Sequence, residues 1–364
     1  MRIAWITYDF EEYSAHHVNA MAGEHEVLLI SPKPDGLIPK YYLESSVEHF
    51  AFDKPRLRQP IRQWMSIRTI LERVRQFRPD VVHFQQGHMW FNFALKSLQR
   101  FPLVITIHDP RHHAGDGASK KTPQWLMDYG FRKAHHVIVH GEALAEQVHR
   151  LFQISKNRIH VIPIISMGGE AKERFESAQD GCVLFFGRIW DYKGLNYLID
   201  AAPMVAKKIP HVKFVIAGEG DNFQKYRDRI GNSALFEVHN RWISDEERAA
   251  MFQRAALVVL PYTEATQSGV VPVAYNFSRP VVGTKVGALA ECIEDGKTGL
   301  LVPPRDPESL ARAIVQILEN ETLRLQMGDS GKQKLLRECS PEMVAERTLN
   351  VYAQAIANPG GGAQ

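Results

Sequence analysis

A turn carrying two cations follows a short apolar segment near the middle of the chain. Cys182–Phe186 is typical of a buried strand, and an apolar repeat at helical spacing begins at Leu195. Between these elements Arg188 and Lys193 flank a turn that Gly194 closes. Arg offers a planar fork of donors and Lys a compact point charge, so the pair suits a diphosphate. The alternative is two solvated surface charges, the usual state of Lys and Arg.

A second turn of this kind lies in residues 262–284, YTEATQSGVVPVAYNFSRPVVGT. Ala256–Leu260 reads as a buried strand that Pro261 ends, because proline has no N–H for the sheet. Ser268 is a good N-cap for a following helix, and Pro272 falls in its first turn. Backbone N–H groups and the helix dipole at such a start favour an anion. Taken alone, this segment favours the alternative of an ordinary strand-to-helix turn.

Together these segments resemble the C-terminal half of the family-4 glycosyltransferases. The residues that carry the resemblance are FGRIWDYKGLNYLIDA, FVIAGEGD and VVLPYTEATQSGVVPVAYNFSRPVVGTKVGALAECIEDGKTGLLVPPRD. It is strong from Cys182 to Asp306, and weaker but collinear over Met1–Pro163. It implies the α/β GT-B fold, in which two doubly wound Rossmann-like domains face an interdomain cleft. It also implies a retaining enzyme whose donor substrate is a nucleotide-diphosphate sugar, with no metal and no other cofactor.

The resemblance places the donor on the second half of the chain. Arg188 and Lys193 are implied to hold the diphosphate and to stabilise the charge that develops on it, which makes both catalytic. Relatives cradle the base with backbone groups of the loop that corresponds to residues 239–243, although Trp242 could equally be packed core. The implied donor-binding residues are Arg188, Lys193, Arg241, Trp242, Ile243, Glu264, Thr266, Gln267, Ser268, Gly269 and Val270.

One motif departs from the family pattern. Relatives carry Glu-x7-Glu, with one glutamate near the sugar hydroxyls and the other on the ribose, and here those positions hold Ala265 and Val273. Glu264 lies one place from the first, and the second has no substitute nearby. The chain is identified as a member of a subset with a TQSGV turn in this place. Thr266 or Gln267 is expected to take over the sugar contacts.

The N-terminal half alternates short apolar segments with helical ones. Parallel strands need such helical crossovers, so the pattern predicts a doubly wound domain with ligands beyond the carboxyl ends of its strands. The predicted strands are Arg2–Thr7, Val27–Ile30, Val81–Phe84, Val104–His108, Val137–Val139 and Ile159–Ile162.

The fourth of these strands ends in ITIHDPRHHAGDGASK. His108 and Asp109 match a His-Asp pair that lies close to the transferred sugar in relatives, so the resemblance makes both catalytic. A neutral imidazole beside a carboxylate can be fixed in one tautomer and exchange hydrogen bonds with a sugar hydroxyl. His108, His112, His113 and Asp116 could instead suggest zinc, but they lack the paired spacing of structural zinc sites, and no metal is predicted.

Three further side chains are candidates for the acceptor side. His16 and His17 follow the first strand, and Trp90 follows DVVHFQQGH. The two histidines could equally be ordinary surface residues.

Residues 54–78 form a strongly basic segment with eight Lys or Arg side chains. Within it Trp64, Ile67, Leu71, Val74 and Phe77 recur at helical spacing. The favoured interpretation is a helix that packs by this apolar face and leaves its arginines solvated. The alternative is a basic face for an anionic membrane or a lipid-diphosphate acceptor, where each cation is worth about 1 kcal/mol.

Composition bounds the remaining possibilities. A chain of 364 residues with 45% hydrophobic and 23% charged residues suits two globular domains. The apolar runs are far shorter than a membrane span, and RIAWIT after Met1 does not resemble a signal peptide. Three scattered cysteines suit a reducing compartment, and a net charge of +3 is too mild to predict nucleic-acid binding. We therefore expect a cytoplasmic protein, or a peripheral one at the inner face of the membrane.

The predicted domains are an acceptor-side domain over residues 1–166 and a nucleotide-sugar domain over residues 167–340. Residues 166–180 are polar and contain glycine, as a linker would. By resemblance, a last helix over residues 341–357 packs back on the first domain, and residues 358–364 form a disordered tail.

The predicted function is that of a retaining glycosyltransferase. It moves a sugar from the nucleotide-diphosphate donor to a hydroxyl of a carbohydrate or lipid-linked acceptor, in bacterial-type cell-surface polysaccharide or glycolipid synthesis. Two alternatives remain: another GT-B sugar-nucleotide enzyme such as an epimerase or phosphorylase, or a non-catalytic sugar-nucleotide-binding protein.

Overall fold

The computed structural model describes residues 1–33, 43–112, 122–167, 179–220 and 222–358. Most of the predicted linker, all but the first residue of the predicted tail, and His113 and Asp116 lie outside these ranges. The chain divides into two compact units. The first holds the described residues up to Ile165 together with those from Ser340 onward, and the second holds Ser166–Cys339.

The first unit is built on a parallel sheet that has seven strands within the described ranges, in the order β3-β2-β1-β4-β5-β6-β7. One strand was missed by the sequence prediction, Val47–Phe52, because it lies at the sheet edge and only its two end residues are buried. The strands are β1 Arg2–Ile6, β2 Glu26–Pro32, β3 Val47–Phe52, β4 Val81–Gln85, β5 Leu103–Thr106, β6 His136–Val139 and β7 Ile159–Val161. The helices between them are α1 Glu11–Met21, α2 Pro60–Phe77, α3 Phe91–Leu98, α4 Gln124–Phe131 and α5 Glu142–Phe152.

The second unit is built on a parallel sheet with six strands in the described part of the chain, in the order β10-β9-β8-β11-β12-β13. The strands are β8 Cys182–Phe186, β9 Lys213–Ala217, β10 Phe236–His239, β11 Leu257–Leu260, β12 Val281–Thr284 and β13 Gly299–Val302. The helices are α6 Leu195–Ala206, α7 Gln224–Ile230, α8 Asp245–Arg254, α9 Val270–Asn276, α10 Leu289–Cys292, α11 Pro307–Leu318 and α12 Glu321–Cys339. The predicted doubly wound α/β architecture is confirmed for each unit.

The strand order identifies where each sheet can hold a ligand. The order reverses between β1 and β4 in the first unit and between β8 and β11 in the second. Loops leave the two strands at such a point in opposite directions and open a crevice beyond their carboxyl ends. The turns after β1, β8 and β11 are therefore the places to look for a site.

The last helix, α13 (Pro341–Ala357), belongs to the first unit and packs on α1, β4 and β5. It starts sharply, because the Ser340 side chain accepts a hydrogen bond from the N–H of Met343 and a proline occupies the first turn. The Tyr352 hydroxyl lies 2.5 Å from Nδ1 of His83, a buried side chain of β4. The end of the chain thus helps to form the core of the first unit.

Helix α2 packs on the core by most of the predicted stripe, because Val74 and Phe77 are buried and Ile67 and Leu71 are packed against the core. Its buried residues are Gln63, Ile70, Val74 and Phe77. The expectation that Trp64 packs inward is wrong, since 60% of this residue is exposed. Within the described ranges, no helix has both the length and the apolar composition that crossing a bilayer requires.

Buried histidines form a polar layer between α1, α13 and the first sheet. The His83 ring stacks on Trp5 with 4.0 Å between centroids, and His17 and His140 are likewise buried. Burial lowers the pKa of His17 to about 3 and that of His140 to about 4, and it holds the pKa of His83 well below its usual range. All three rings are therefore neutral in the native protein near pH 7.

These rings predict a steep loss of stability in mild acid. Unfolding restores an ordinary histidine pKa near 6.5, so between about pH 6.5 and pH 4 the unfolded chain binds more protons than the native one. The free energy of unfolding should fall by about 1.4 kcal/mol per pH unit for each ring, as measured by urea titration at pH 7.0 to 4.5. His17→Phe keeps an aromatic ring beside Trp5 and should reduce this slope by one ring's share. Equal slopes in wild type and His17→Phe would contradict the assignment.

Candidate functional site

The turn after β8 is held against its neighbours by contacts between backbones. A Cβ on Gly218 would lie 2.1 Å from the carbonyl oxygen of Gly187, and one on Gly194 would lie 1.9 Å from that of Pro261. Gly194 also has a φ of 69°, which glycine adopts without the steric cost of a side chain. Between these glycines, residues 191–193 form one turn of 3-10 helix. The turns after β8, β9 and β11 thus meet beyond the switch point of the second sheet.

Both predicted phosphate-binding cations lie on this turn against aromatic rings. The Lys193 ammonium is 3.9 Å from the ring centre of buried Tyr262 and 5.0 Å from that of Tyr192. The Arg188 guanidinium is 4.3 Å from the ring centre of Trp190. Such cation–π contacts fix the position of a cation without neutralising its charge.

Neither cation forms an ion pair with a carboxylate of the described residues. The nearest acidic residue in sequence, Asp191, pairs with Lys225 and lies 3.3 Å from the hydroxyl of Tyr226. The turn therefore presents two positive charges that an anionic ligand can use.

The loop after β11 forms the other side of this site. The N–H of Thr263 donates to the carbonyl of Tyr192 at 2.8 Å, which ties the loop to the cation turn. The prediction that Ser268 caps α9 is wrong by one residue, because Gly269 is the N-cap and has no side chain to do so. Ser268 is buried, and its hydroxyl lies 3.4 Å from both the Tyr262 hydroxyl and the N–H of Val270.

The remaining candidates of this loop surround a second close approach of backbones. A Cβ on Gly287 would lie 1.8 Å from the carbonyl oxygen of Ala265, so the turn after β12 supports the loop from below. Glu264 is exposed, and Thr266 and Gln267 are half-buried. Their contacts with a sugar stay predictions.

The loop that follows β10 excludes one of the two interpretations of Trp242, whose contact with a base stays a prediction. This residue is 77% exposed and is not packed core. Arg241 pairs with Glu247 at 2.9 Å, and this guanidinium lowers the pKa of the Glu247 carboxyl to about 2. Ile243 is buried in the core of the second unit, so its side chain is not available to a ligand. A base contact at Ile243 can come only from its backbone.

In the first unit, His108 and Asp109 are fastened by the residues at the end of β4. The side-chain oxygen of Gln86 accepts from the backbone N–H of His108 at 3.0 Å and from that of Asp109 at 3.1 Å. His108 is buried, with Nε2 2.9 Å from Oε1 of Gln85 and Nδ1 3.1 Å from Nε2 of His140. Asp109 is half-buried. Contact of this pair with the transferred sugar stays a prediction.

Two of the three acceptor-side candidates have clear structural roles. The expectation of a ligand contact at His17 is wrong, since this ring is 1% exposed and its Nδ1 lies 2.9 Å from the carbonyl of Tyr13. Trp90 donates from Nε1 to the carbonyl of Leu57 at 3.0 Å and remains half-buried. His16, which lies on α1 together with His17, is half-buried.

The zinc alternative rested on a loop that the structure describes only in part. Nε2 of His112 is 3.0 Å from the carbonyl of Thr122. His113 and Asp116 lie outside the described residues, and within those residues no three His, Cys, Asp or Glu side chains come together as metal ligands.

Sequence reasoning missed the residues that support the site. Tyr192 and Tyr262 hold Lys193, and Gln85 and Gln86 hold the His-Asp pair. The available signal was position, because Tyr262 and Gln86 each come within two residues of a strand's carboxyl end. The spacing of residues along the sequence does not show whether Tyr192 or Tyr262 will lie closer to the Lys193 ammonium.

Comparison with known proteins agrees with this geometry. The family model described as Glycosyltransferase Family 4 matches residues 11–164, and the one described as Glycosyl transferases group 1 matches residues 180–320. The chain is 24% identical over 284 residues to alpha-D-kanosaminyltransferase of Streptomyces kanamyceticus, covering 73% of this chain and 74% of that protein. It is 23% identical to phosphatidyl-myo-inositol mannosyltransferase of Mycobacterium tuberculosis, covering 93% and 91%. Its fold is similar to that of Anabaena HepE in complex with UDP, with a TM-score of 0.74, 17% identity and coverage of 97% and 100%.

The contact at Gly194 predicts an unusually costly glycine substitution. Gly194→Ala adds a methyl group to a left-handed residue and also forces it against the Pro261 carbonyl, so the turn must move. Gly296→Ala is the control, because Gly296 has a φ of 78° but nothing within 4 Å of an added Cβ. The control should cost about 1–2 kcal/mol, and Gly194→Ala clearly more, by urea unfolding. Equal losses would show that the close approach does not constrain the turn.

Proposed function

We propose that this chain transfers a hexose to an acceptor hydroxyl at a membrane surface. The chain belongs to the group 1 and family 4 glycosyltransferases of GT-B fold, which are retaining enzymes that use nucleotide-sugar donors. The observation that carries this proposal is the pair Arg188 and Lys193, two cations without a carboxylate partner among the described residues, at the switch point of the second sheet. A nucleotide diphosphate supplies the two adjacent negative charges that such a pair can bind.

The cations act on the charge that develops during the reaction. When the bond from the sugar's anomeric carbon to the diphosphate oxygen breaks, its electron pair stays on the departing phosphate. Arg188 and Lys193 stabilise this charge from fixed positions, so little reorganisation is needed during the step. The Tyr262 ring beneath Lys193 keeps the ammonium in place. The acceptor oxygen then forms the new bond to the anomeric carbon, and its proton passes to the departing phosphate.

A uridine diphosphate sugar is the first donor to test. The related structure of HepE contains UDP, and the same cradle would hold the diphosphate of any nucleotide sugar. The exposed Trp242 lies on the loop that resemblance assigns to the base. A flat exposed ring at this place offers a surface on which a base can stack.

The first unit carries an exposed aromatic and aliphatic surface, which we call the apolar face. The ring centres of Phe93 and Trp125 are 6.3 Å apart, and α3 packs against both α2 and α4. The face consists of Ile61, Trp64 and Met65 on α2, Phe93 on α3 and Trp125 on α4, each exposed by 53% to 74%. Water-exposed groups of this size mark a surface that contacts something apolar.

Arginines flank the part of the apolar face that lies on α2, and one of them, Arg68, is paired with Glu72 at 2.8 Å. Arg58, Arg62 and Arg68 are exposed beside Ile61, Trp64 and Met65, and the Arg68 guanidinium lies 5.8 Å from the Trp64 ring centre. Tryptophan among basic side chains is typical of proteins that rest on an anionic lipid interface. One related protein is named for a phospholipid, as a phosphatidyl-myo-inositol mannosyltransferase. We therefore assign the apolar face to an anionic phospholipid surface, which would bring the acceptor to the enzyme.

Removal of the Lys193 charge tests the donor site. Lys193→Ala should lower donor-dependent turnover by roughly a hundredfold to a thousandfold, because one preorganised charge contact is lost. The variant should also lose most of the thermal stabilisation by UDP, which for wild type at 100 times the dissociation constant is about 2.7 kcal/mol.

Lys208→Ala, at an exposed position two residues beyond the end of α6, is the matched control and should behave as wild type. Near-normal turnover in Lys193→Ala would overturn the assignment. Stabilisation of wild type by UDP, GDP or ADP without turnover of any corresponding sugar would instead indicate a binding protein.

Removal of two exposed tryptophans tests the apolar face. Trp64→Ala with Trp125→Ala should weaken binding to phosphatidylglycerol vesicles at least about tenfold, since burying each large apolar side chain is worth about 1.5–3 kcal/mol. Binding is measured by vesicle sedimentation at low and high salt. Trp242→Ala removes an equally exposed tryptophan from the second unit and should leave binding unchanged. Equal binding to pure phosphatidylcholine vesicles, or no effect of the double substitution, would refute this function of the face.

A further inference from the structure

A continuous set of hydrogen bonds runs beneath His108 through the buried polar layer of the first unit. It begins at the Tyr352 hydroxyl on α13 and passes to Nδ1 of His83 at 2.5 Å. The other nitrogen of His83 lies 2.8 Å from the Thr106 hydroxyl and 3.0 Å from the side-chain amide of Gln85. Gln85 in turn contacts His108, and His108 contacts His140. Apart from Tyr352, the participating side chains come from three neighbouring strands, β4, β5 and β6, or from the residues just beyond them.

One end of this set fixes the positions of its protons. Nδ1 of His140 lies 2.9 Å from the carbonyl oxygen of Ile162, which can only accept, so the hydrogen of His140 is on Nδ1. Nε2 of the neutral ring is then an acceptor. It faces Nδ1 of His108 at 3.1 Å, and that atom must therefore carry the hydrogen of the His108 ring.

The same reasoning defines the other side of His108. With its hydrogen on Nδ1, a neutral His108 has a lone pair on Nε2 and needs a donor. The atom 2.9 Å away is Oε1 of Gln85, which cannot donate. The nitrogen and oxygen of this amide are assigned from the hydrogen bonds around it, and here they must be exchanged so that the NH2 group faces Nε2 of His108. The amide oxygen then faces His83 and Thr106, both of which can donate. Every member of the set is satisfied in this one direction, as buried polar groups require.

We propose that His140 is a positioning residue that holds His108 as the tautomer with hydrogen on Nδ1 and thereby fixes the orientation of the His108–Asp109 pair. His108 is also stacked on Phe10, with 4.0 Å between ring centroids, and its backbone N–H is held by Gln86. The ring and the backbone are thus both restrained. The effect on turnover rests on the proposed glycosyltransferase function, in which the pair is expected near the transferred sugar. The tautomer does not depend on that function.

The tautomer is measured directly by long-range 1H–15N NMR of the full-length protein with 15N-labelled histidine. His108→Gln identifies the His108 signals by their loss. In the wild-type protein, His108 should show a protonated Nδ1 and an unprotonated Nε2. His140→Phe keeps the ring volume but removes the acceptor, and it should shift the His108 signals towards a mixture of tautomers. A His108 ring protonated on Nε2 in the wild-type protein, or identical His108 signals in wild type and His140→Phe, would overturn the proposal.

Kinetics provide the functional half of the test. His140→Phe should lower kcat about tenfold to a hundredfold, because a misplaced group near the reacting atoms loses orientation. The donor KM and the stabilisation by UDP should not change, since the donor cations lie in the second unit. His140→Gln, whose side-chain oxygen can accept from Nδ1–H, should restore most of kcat. An unchanged kcat in His140→Phe, or a donor KM that rises in parallel, would contradict a positioning role. If wild type transfers no sugar although His108 has the expected tautomer, the proposed function fails and the assignment of the hydrogen bonds stands.

Discussion

The contact between the Gly194 backbone and the carbonyl of Pro261 is the constraint on which the donor side of the second unit depends. It allows the turn after β8 to lie directly on the residues that leave β11, with no side chain between them. Lys193 is consequently placed over Tyr262, and the carbonyl of Tyr192 accepts from the N–H of Thr263. Two chain segments separated by about seventy residues thus form one surface.

Much of this arrangement follows from the sequence, because the strand-to-turn pattern and the types of the charged residues are local properties. The turn of Lys193 and the strands around it were predicted in this way. The phase of an amphipathic pattern is a different matter. The spacing of Trp64 is correct for a helix, but the helix turns Gln63 inward and Trp64 outward. His17 was misjudged for a related reason, since its burial depends on Trp5, which is adjacent to it only after the fold has formed.

The departure from Glu-x7-Glu has a structural consequence that residue types alone do not reveal. Val273 is buried in the apolar core of the second unit and is 6% exposed. A carboxylate in this place would be desolvated without a partner, which is costly. At the other position, the backbone carbonyl of Ala265 packs against the turn at Gly287, and the residue presents no polar side chain to solvent. The loop is therefore held by backbone packing, and neither of these two positions presents a side chain that could bind a ribose.

The buried polar layer explains why the last helix of the chain is part of the first unit. His83 needs a donor for Nδ1, and Tyr352, which lies 269 residues later, is the group that satisfies it. Without α13, the side of His83 that faces Tyr352 would keep an unpaired polar atom in a dry environment, which costs about 1–3 kcal/mol. The first unit therefore cannot satisfy this layer until the whole of the second unit has been synthesised. A contact of such long range also adds loop-closure entropy to the folding barrier. Completion of the layer beneath His108 is thus tied to completion of the chain, and a protein truncated before α13 would lack part of the support for its own His-Asp pair.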